Sequence, residues 1–160
     1  MTLAELNALP APATQAALLR CCGSRRWAQR MTELRPFAST AGLLAAAEEV
    51  DRQLTDTDWL EAFAAHPRIG ESSASAWSQV EQAAALRAAR DMRARLAAAN
   101  AEYEQKFGFI FIVFASGKTP EQILELVQAR MRNSQETETR EAAAEQQKIT
   151  RARLQKLLEL

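Results

Sequence analysis

Histidine is nearly missing from this chain: His66 is the only one among 160 residues. Cysteine is almost as scarce, and its two copies, Cys21 and Cys22, are neighbours. These shortages argue against a zinc centre, which needs three or four ligands converging on one ion, so no metal is expected. They also exclude a disulfide framework, because adjacent cysteines cannot staple distant segments. The pair reads as small buried apolar groups in a reducing compartment, with a cysteine nucleophile beside His66 as the competing use. Excess charge is absent as well. With 20 basic and 20 acidic side chains in balance, neither nucleic acid nor an anionic membrane surface is an expected partner. No run approaches the ~18 apolar residues of a membrane span, and no cationic-then-apolar leader pattern opens the chain, so a cytoplasmic protein is expected. Only five glycines occur, and none forms a phosphate loop or a dinucleotide fingerprint.

What is present is helical spacing almost throughout, in alanine-rich segments that favour the α conformation. The length suits one domain, residues 1–160, able to bury its own core. Thr2 can cap a first short helix that Pro10 and Pro12 close. A second helix runs from about 13 to 22 and stops at Gly23, read as its C′ residue. Ser24 caps the next, with Trp27 and Met31 four apart on one face. From Ser39 the residues Leu43, Leu44, Ala47 and Val50 make another apolar stripe. Asp56 or Thr57 starts a helix with Trp59, Leu60 and Phe63 inward. The stretch 70–75 reads as a loop, and a long helix follows from about 77 to 105. Thr119-Pro120-Glu121-Gln122 is a strong start signal, with a threonine cap, proline at N1 and glutamine at N3. Asn133 or Ser134 can cap a last helix.

One segment departs from this pattern. Phe107-Gly108-Phe109-Ile110-Phe111-Ile112-Val113-Phe114 is aromatic and β-branched, composition that favours extended backbone. No second strand exists to pair with it, so its backbone polar groups need side-chain or ligand partners. The expected architecture is an all-α, single-domain helical bundle with one short extended apolar segment near 108–114.

His66 follows the Trp59–Phe63 helix and precedes Pro67. Proline disfavours the α region for the residue before it, which puts the imidazole at a helix exit. It is the only side chain here whose unperturbed pKa lies near neutrality, so it can serve acid–base chemistry; bonding backbone carbonyls at the helix end is the structural alternative. Ser78-x-x-Glu81 is a capping box, and a helix N-terminus with a carboxylate can also meet a polar ligand. Of Arg130, Arg132, Arg140, Arg151 and Arg153, most read as solvated. Arg153, next to Leu154 on an inward-looking stretch, is the one expected to reach a site.

Taken in order, His66-Pro67-Arg68-Ile69-Gly70, Ser78-x-x-Glu81-Gln82, Phe107-Gly108-Phe109-x-Phe111, Ala115-Ser116-Gly117, Arg130-x-x-Asn133 and Ile149 with Arg153-Leu154 resemble the 2-oxo-4-hydroxy-4-carboxy-5-ureidoimidazoline decarboxylases. The resemblance runs from about Trp27 to Leu158; Ile110 stands where relatives often carry proline. It implies an all-α, homodimeric, cofactor-free enzyme of urate breakdown that forms (S)-allantoin from a small-molecule substrate. It also implies roles for residues: His66, Glu81 and Arg153 as catalytic groups, and Pro67, Ser78, Gln82, Phe111 and Val113 as substrate-binding ones. Two other classes compete, a helical histidine phosphotransfer module and a non-catalytic helical interaction protein.

Overall fold

The computed structural model describes residues 1–67 and 82–158, without the side chains of 82–86. Among them are helices α1 (Leu3–Ala8), α2 (Ala11–Leu19), α3 (Arg25–Glu33), α4 (Thr40–Asp51), α5 (Asp56–Ala64), α6 (Gln82–Phe107), α7 (Pro120–Arg130) and α8 (Gln135–Leu157). The all-α expectation therefore holds, and no β-strand occurs among the described residues. The chain divides into two compact units, Met1–Ala65 with Glu141–Leu160, and His66–Arg140.

Local chemistry sets most helix ends. The Thr2 hydroxyl accepts from the Glu5 amide while Glu5 reaches back, a complete capping box. Thr119 and Gln122 form another at α7. Ser24 and Ser39 cap α3 and α4 as expected. Helix α5 starts at Asp56, as expected, and its cap is Thr55, boxed with Asp58. Pro10 and Pro12 do more than close α1: Pro10 is the N-cap of α2 and Pro12 lies in its first turn, where a missing N–H costs no helical bond. Helix α2 ends at Leu19 with Arg20 as C-cap, three residues earlier than the spacing suggested, so Gly23 is not its C′ residue.

The first unit is built around Trp27 and Met31, both fully buried, with Leu6, Leu18, Leu43 and Leu154 packed in the same cluster. Cys21 and Cys22 belong to that core. Two polar clamps hold its N-terminal part. Asn7 and Phe37 exchange side-chain and main-chain hydrogen bonds of 2.9 Å each way. The Arg35 guanidinium donates to the carbonyls of Leu6 and Leu9 at 3.2 and 2.7 Å, satisfying the C-terminal end of α1, where a cation also suits the helix dipole.

In the second unit, α6 ends at Gly108, whose φ of +80° is the left-handed geometry of a C′ glycine. Gly117, at φ +75°, occupies the third position of a turn closed by the Lys118 N–H on the Ala115 carbonyl at 3.0 Å. Between these two glycines the chain is neither helix nor strand.

Asp51, at the last turn of α4, is 6% exposed. Burial pushes its carboxyl up to about 7 from the usual 3.8, against the downward pull of the Trp27 indole N–H. Neither Trp27 Nε1 nor Asp51 Oδ1 completes a hydrogen bond of normal geometry. An unfolded chain releases this proton near pH 4, while the folded one holds it to about 7, so stability falls between those values and is flat above them. Asp51→Asn, neutral at every pH, is expected to exceed the parent in stability by about 1–3 kcal/mol at pH 8. Urea denaturation from pH 8 downward should show that advantage shrinking toward pH 4; a constant gap would mean the carboxyl is not titrating.

Candidate active site

Helix α5 delivers His66. Its buried face is Trp59, Ala62 and Phe63, with the rings of Trp59 and Phe63 stacked at 6.3 Å. The Arg25–Glu61 ion pair, at 2.5 Å, ties α5 to α3. Helical geometry stops at Ala64, Ala65 is the C-cap, and His66 is the first residue beyond it, half-buried, with Pro67 exposed. The expected helix exit is therefore present. A phosphotransfer module presents its histidine along a continuous helix, which this position does not do.

Arg153 lies in the first unit on α8, beside the fully buried Leu154. Its Nη1 donates to the Arg20 carbonyl at 3.3 Å, which sets the guanidinium over the C-terminal end of α2, the negative end of that helix. The positive charge also reaches the Cys21 thiol, pulling it down, but burial dominates and raises it to about 11. Burial raises Cys22 to about 12. Both sulfurs stay protonated near neutrality, so neither acts as a thiolate nucleophile.

Phe111 and Val113 lie together on the irregular segment, 2% and 8% exposed. The Phe111 ring meets Tyr103 edge-on at 5.2 Å and lies 4.4 Å beneath the Arg130 guanidinium. Three backbone polar groups of the segment are met by side chains. The Phe111 N–H donates to Asn100 Oδ1 at 3.2 Å. The Ile112 carbonyl accepts from Arg130 Nη1 at 2.5 Å, and the Phe114 carbonyl from Lys118 Nζ at 2.8 Å.

Arg130 corrects its reading as a solvated arginine. It is 8% exposed and paired with Glu138, which is 0% exposed. Arg130 Nε donates to Glu138 Oε1 at 2.7 Å, Asn133 Nδ2 to Oε2 at 2.9 Å, and the Tyr103 hydroxyl completes the set. Burial and the Glu138 carboxylate keep that phenol protonated well above its ordinary range. Two helices and the irregular segment are thus locked to one carboxylate.

Ser78 and Glu81 lie outside the described residues, as does the loop read at 70–75. Gln82 is the first residue of α6, with its side chain not described. Asn100, Tyr103 and Glu138 escaped the sequence reading. Two of them had a signal, since Leu96, Asn100, Tyr103 and Phe107 follow one helical stripe, and a polar residue on such a stripe marks a buried partner. Among the described residues no group of three or more His, Cys, Asp or Glu could hold a metal ion, and no helix is long and apolar enough to cross a membrane.

Against known proteins, the family model for OHCU decarboxylase matches residues 7–155. The uric acid degradation bifunctional protein TTL of Arabidopsis thaliana is 39% identical over 86% of this chain and 45% of its own length. The 2-oxo-4-hydroxy-4-carboxy-5-ureidoimidazoline decarboxylase of Haloferax volcanii is 29% identical over 79% of this chain and 77% of its own. A crystal structure of OHCU decarboxylase in the presence of (S)-allantoin superposes with a TM-score of 0.74 at 35% identity, covering 88% of this chain and 95% of that one. This chain spans less than half of the Arabidopsis bifunctional relative.

The buried network makes two stability predictions. Glu138→Gln leaves the Arg130 charge without its counter-charge and should cost about 3–5 kcal/mol in urea denaturation, far more than a surface pair would. Asn100→Ala orphans the Phe111 N–H and should cost about 1–3 kcal/mol by the same measurement. A loss below 0.5 kcal/mol, roughly the surface-substitution level, would show that the segment is held by other means.

Proposed function

Because the chain belongs to the OHCU decarboxylase family, we propose that it converts 2-oxo-4-hydroxy-4-carboxy-5-ureidoimidazoline to (S)-allantoin with loss of carbon dioxide, as one domain spanning 1–160. The observation that carries this reading is the match to an OHCU decarboxylase structure over nearly the whole of both chains.

The chemistry asks little of a cofactor. When the bond to the carboxylate breaks, its electron pair needs a sink, and this substrate has a C=N next to the carboxylated carbon. An amino-acid decarboxylase borrows a pyridoxal ring for the same purpose. The protein's tasks are to turn the carboxylate out of the ring plane, stabilise the charge that develops, and deliver a proton to one face.

Residue by residue, His66 is the acid–base group at the hydroxyl- and carboxyl-bearing carbon. Glu81 accepts hydrogen bonds from ureido or ring N–H groups, and Arg153 orients anionic or carbonyl oxygens with its fork. Ser78 and Gln82 add polar contacts, Phe111 and Val113 offer main-chain groups, and Pro67 fixes the direction of the imidazole. The family resemblance also supports a homodimer in the cytoplasm, with neither nucleic acid nor membrane as partner.

Time-resolved circular dichroism of urate degradation, with upstream enzymes supplied, reads rate and handedness together. The wild-type protein should accelerate (S)-allantoin formation over the spontaneous racemic decay. His66→Ala should keep its helical spectrum and lose that acceleration; full activity in this variant would remove the imidazole from the mechanism. Arg153→Lys keeps the charge but not the fork, and should fall by at least tenfold in kcat/KM, about 1.4 kcal/mol of transition-state binding.

A further inference from the structure

We propose that Gly23 is a positioning residue for His66, fixing the end of α5 through a contact that only glycine permits. The inference rests on the acid–base reading of His66 given above. A Cβ built on Gly23 would fall 2.3 Å from the Cβ of Ala65, the residue covalently joined to His66. The next nearest atoms, the Ala62 carbonyl oxygen and Cα, lie at 3.5 and 3.6 Å, ordinary contact distances. One pair of carbon atoms therefore makes the whole conflict. Gly23 has no left-handed φ, so space and not backbone freedom demands glycine here.

The Ala65 Cβ cannot rotate away, because it is fixed to the backbone. Relieving the overlap needs a shift of about 1.2–1.7 Å, given the 3.5–4.0 Å at which carbon atoms sit comfortably. The α2–α3 link is the stiffer side. Cys22 and Ser24 flank Gly23, both 0% exposed, and the Ser24 hydroxyl is committed to the Trp27 N–H at 3.2 Å. The α5 end is the softer side, since Ala64 and Ala65 are exposed and helical hydrogen bonding stops there. A methyl group at position 23 thus displaces Ala65, and His66 with it. Misplacing a reacting group by about 1 Å can cost on the order of 100-fold in rate.

A methyl exchange tests this. Gly23→Ala should lower kcat by about 10- to 100-fold with KM nearly unchanged, while the double variant Gly23→Ala/Ala65→Gly, which moves the methyl across the contact, should recover to within a few-fold of wild type. Since the chain has one histidine, the imidazole Hε1 proton gives a single NMR signal. Its shift and titration midpoint should move in Gly23→Ala and return in the double variant. Ala65→Gly alone creates no overlap, and loss of the abutment should also move the signal. This variant decides the matter should Gly23→Ala not fold. An imidazole signal unmoved in Ala65→Gly, or wild-type turnover in a folded Gly23→Ala, overturns the proposal. The NMR arm is independent of turnover, so an inactive wild-type protein would sink the decarboxylase reading while leaving the Gly23 contact to be judged on its own.

Discussion

The interaction on which the second unit depends is the buried pair of Arg130 and Glu138. An irregular apolar segment lies in the interior with no strand among the described residues to pair with it, and every buried N–H and C=O must find a partner. Alanine-rich helices supply none, because their backbone groups are already spent on one another. The chain answers with long side chains: Asn100 for the Phe111 N–H, Arg130 for the Ile112 carbonyl, Lys118 for the Phe114 carbonyl. Placing a guanidinium there forces a second burial, that of Glu138, since an uncompensated interior charge is far costlier than a paired one. Tyr103 and Asn133 then complete the lone pairs of that carboxylate. One backbone irregularity thus accounts for six polar side chains.

The first unit uses a different source of order, the unsatisfied ends of helices. Arg35 closes the carbonyl end of α1. Arg153 does the same at α2 from the far end of the sequence. The two contacts share one physical basis, a delocalised cation against carbonyls that lack an intrahelical partner. Their surroundings differ: the Arg35 contacts are part-buried, whereas Arg153 is exposed. A guanidinium hydrogen-bonded to a carbonyl has its orientation restricted.

The sequence discloses these features unevenly. Caps are local, so Thr2, Ser24, Ser39 and Thr119 could be read from a few residues each. The exit of His66 followed from Pro67, and the unpaired apolar segment from its composition. Arg130 was misread because a charge on a helix is usually solvated, although it continues the stripe of Ile123 and Val127. Glu138 had no such signal. The buried stripe of α8 runs through Glu138, Ala142, Gln146, Thr150 and Leu154, four of the five polar or small, so apolar periodicity is nearly absent from that face. Gly23 was assigned to the end of α2 because glycine usually serves there. Its real constraint is a contact 42 residues away with Ala65, and no local rule encodes that. The carboxylate and serine of the proposed site, Glu81 and Ser78, are read from sequence alone.

A reaction whose substrate absorbs its own electrons puts unusual weight on placement. In the reaction proposed above, the direction of one imidazole and one guanidinium has to come from packing. His66 stands just past the end of α5, where the backbone is least constrained by its own hydrogen bonds, and Arg153 reaches the C-terminal end of α2 from within α8. His66 follows a helix end that abuts Gly23, and Arg153 donates to the Arg20 carbonyl at the end of α2. Helix ends offer directional freedom that a mid-helix position lacks, and they need outside contacts to restrict it. Those contacts need not touch substrate, so residues far from the reacting atoms can control the rate through alignment alone.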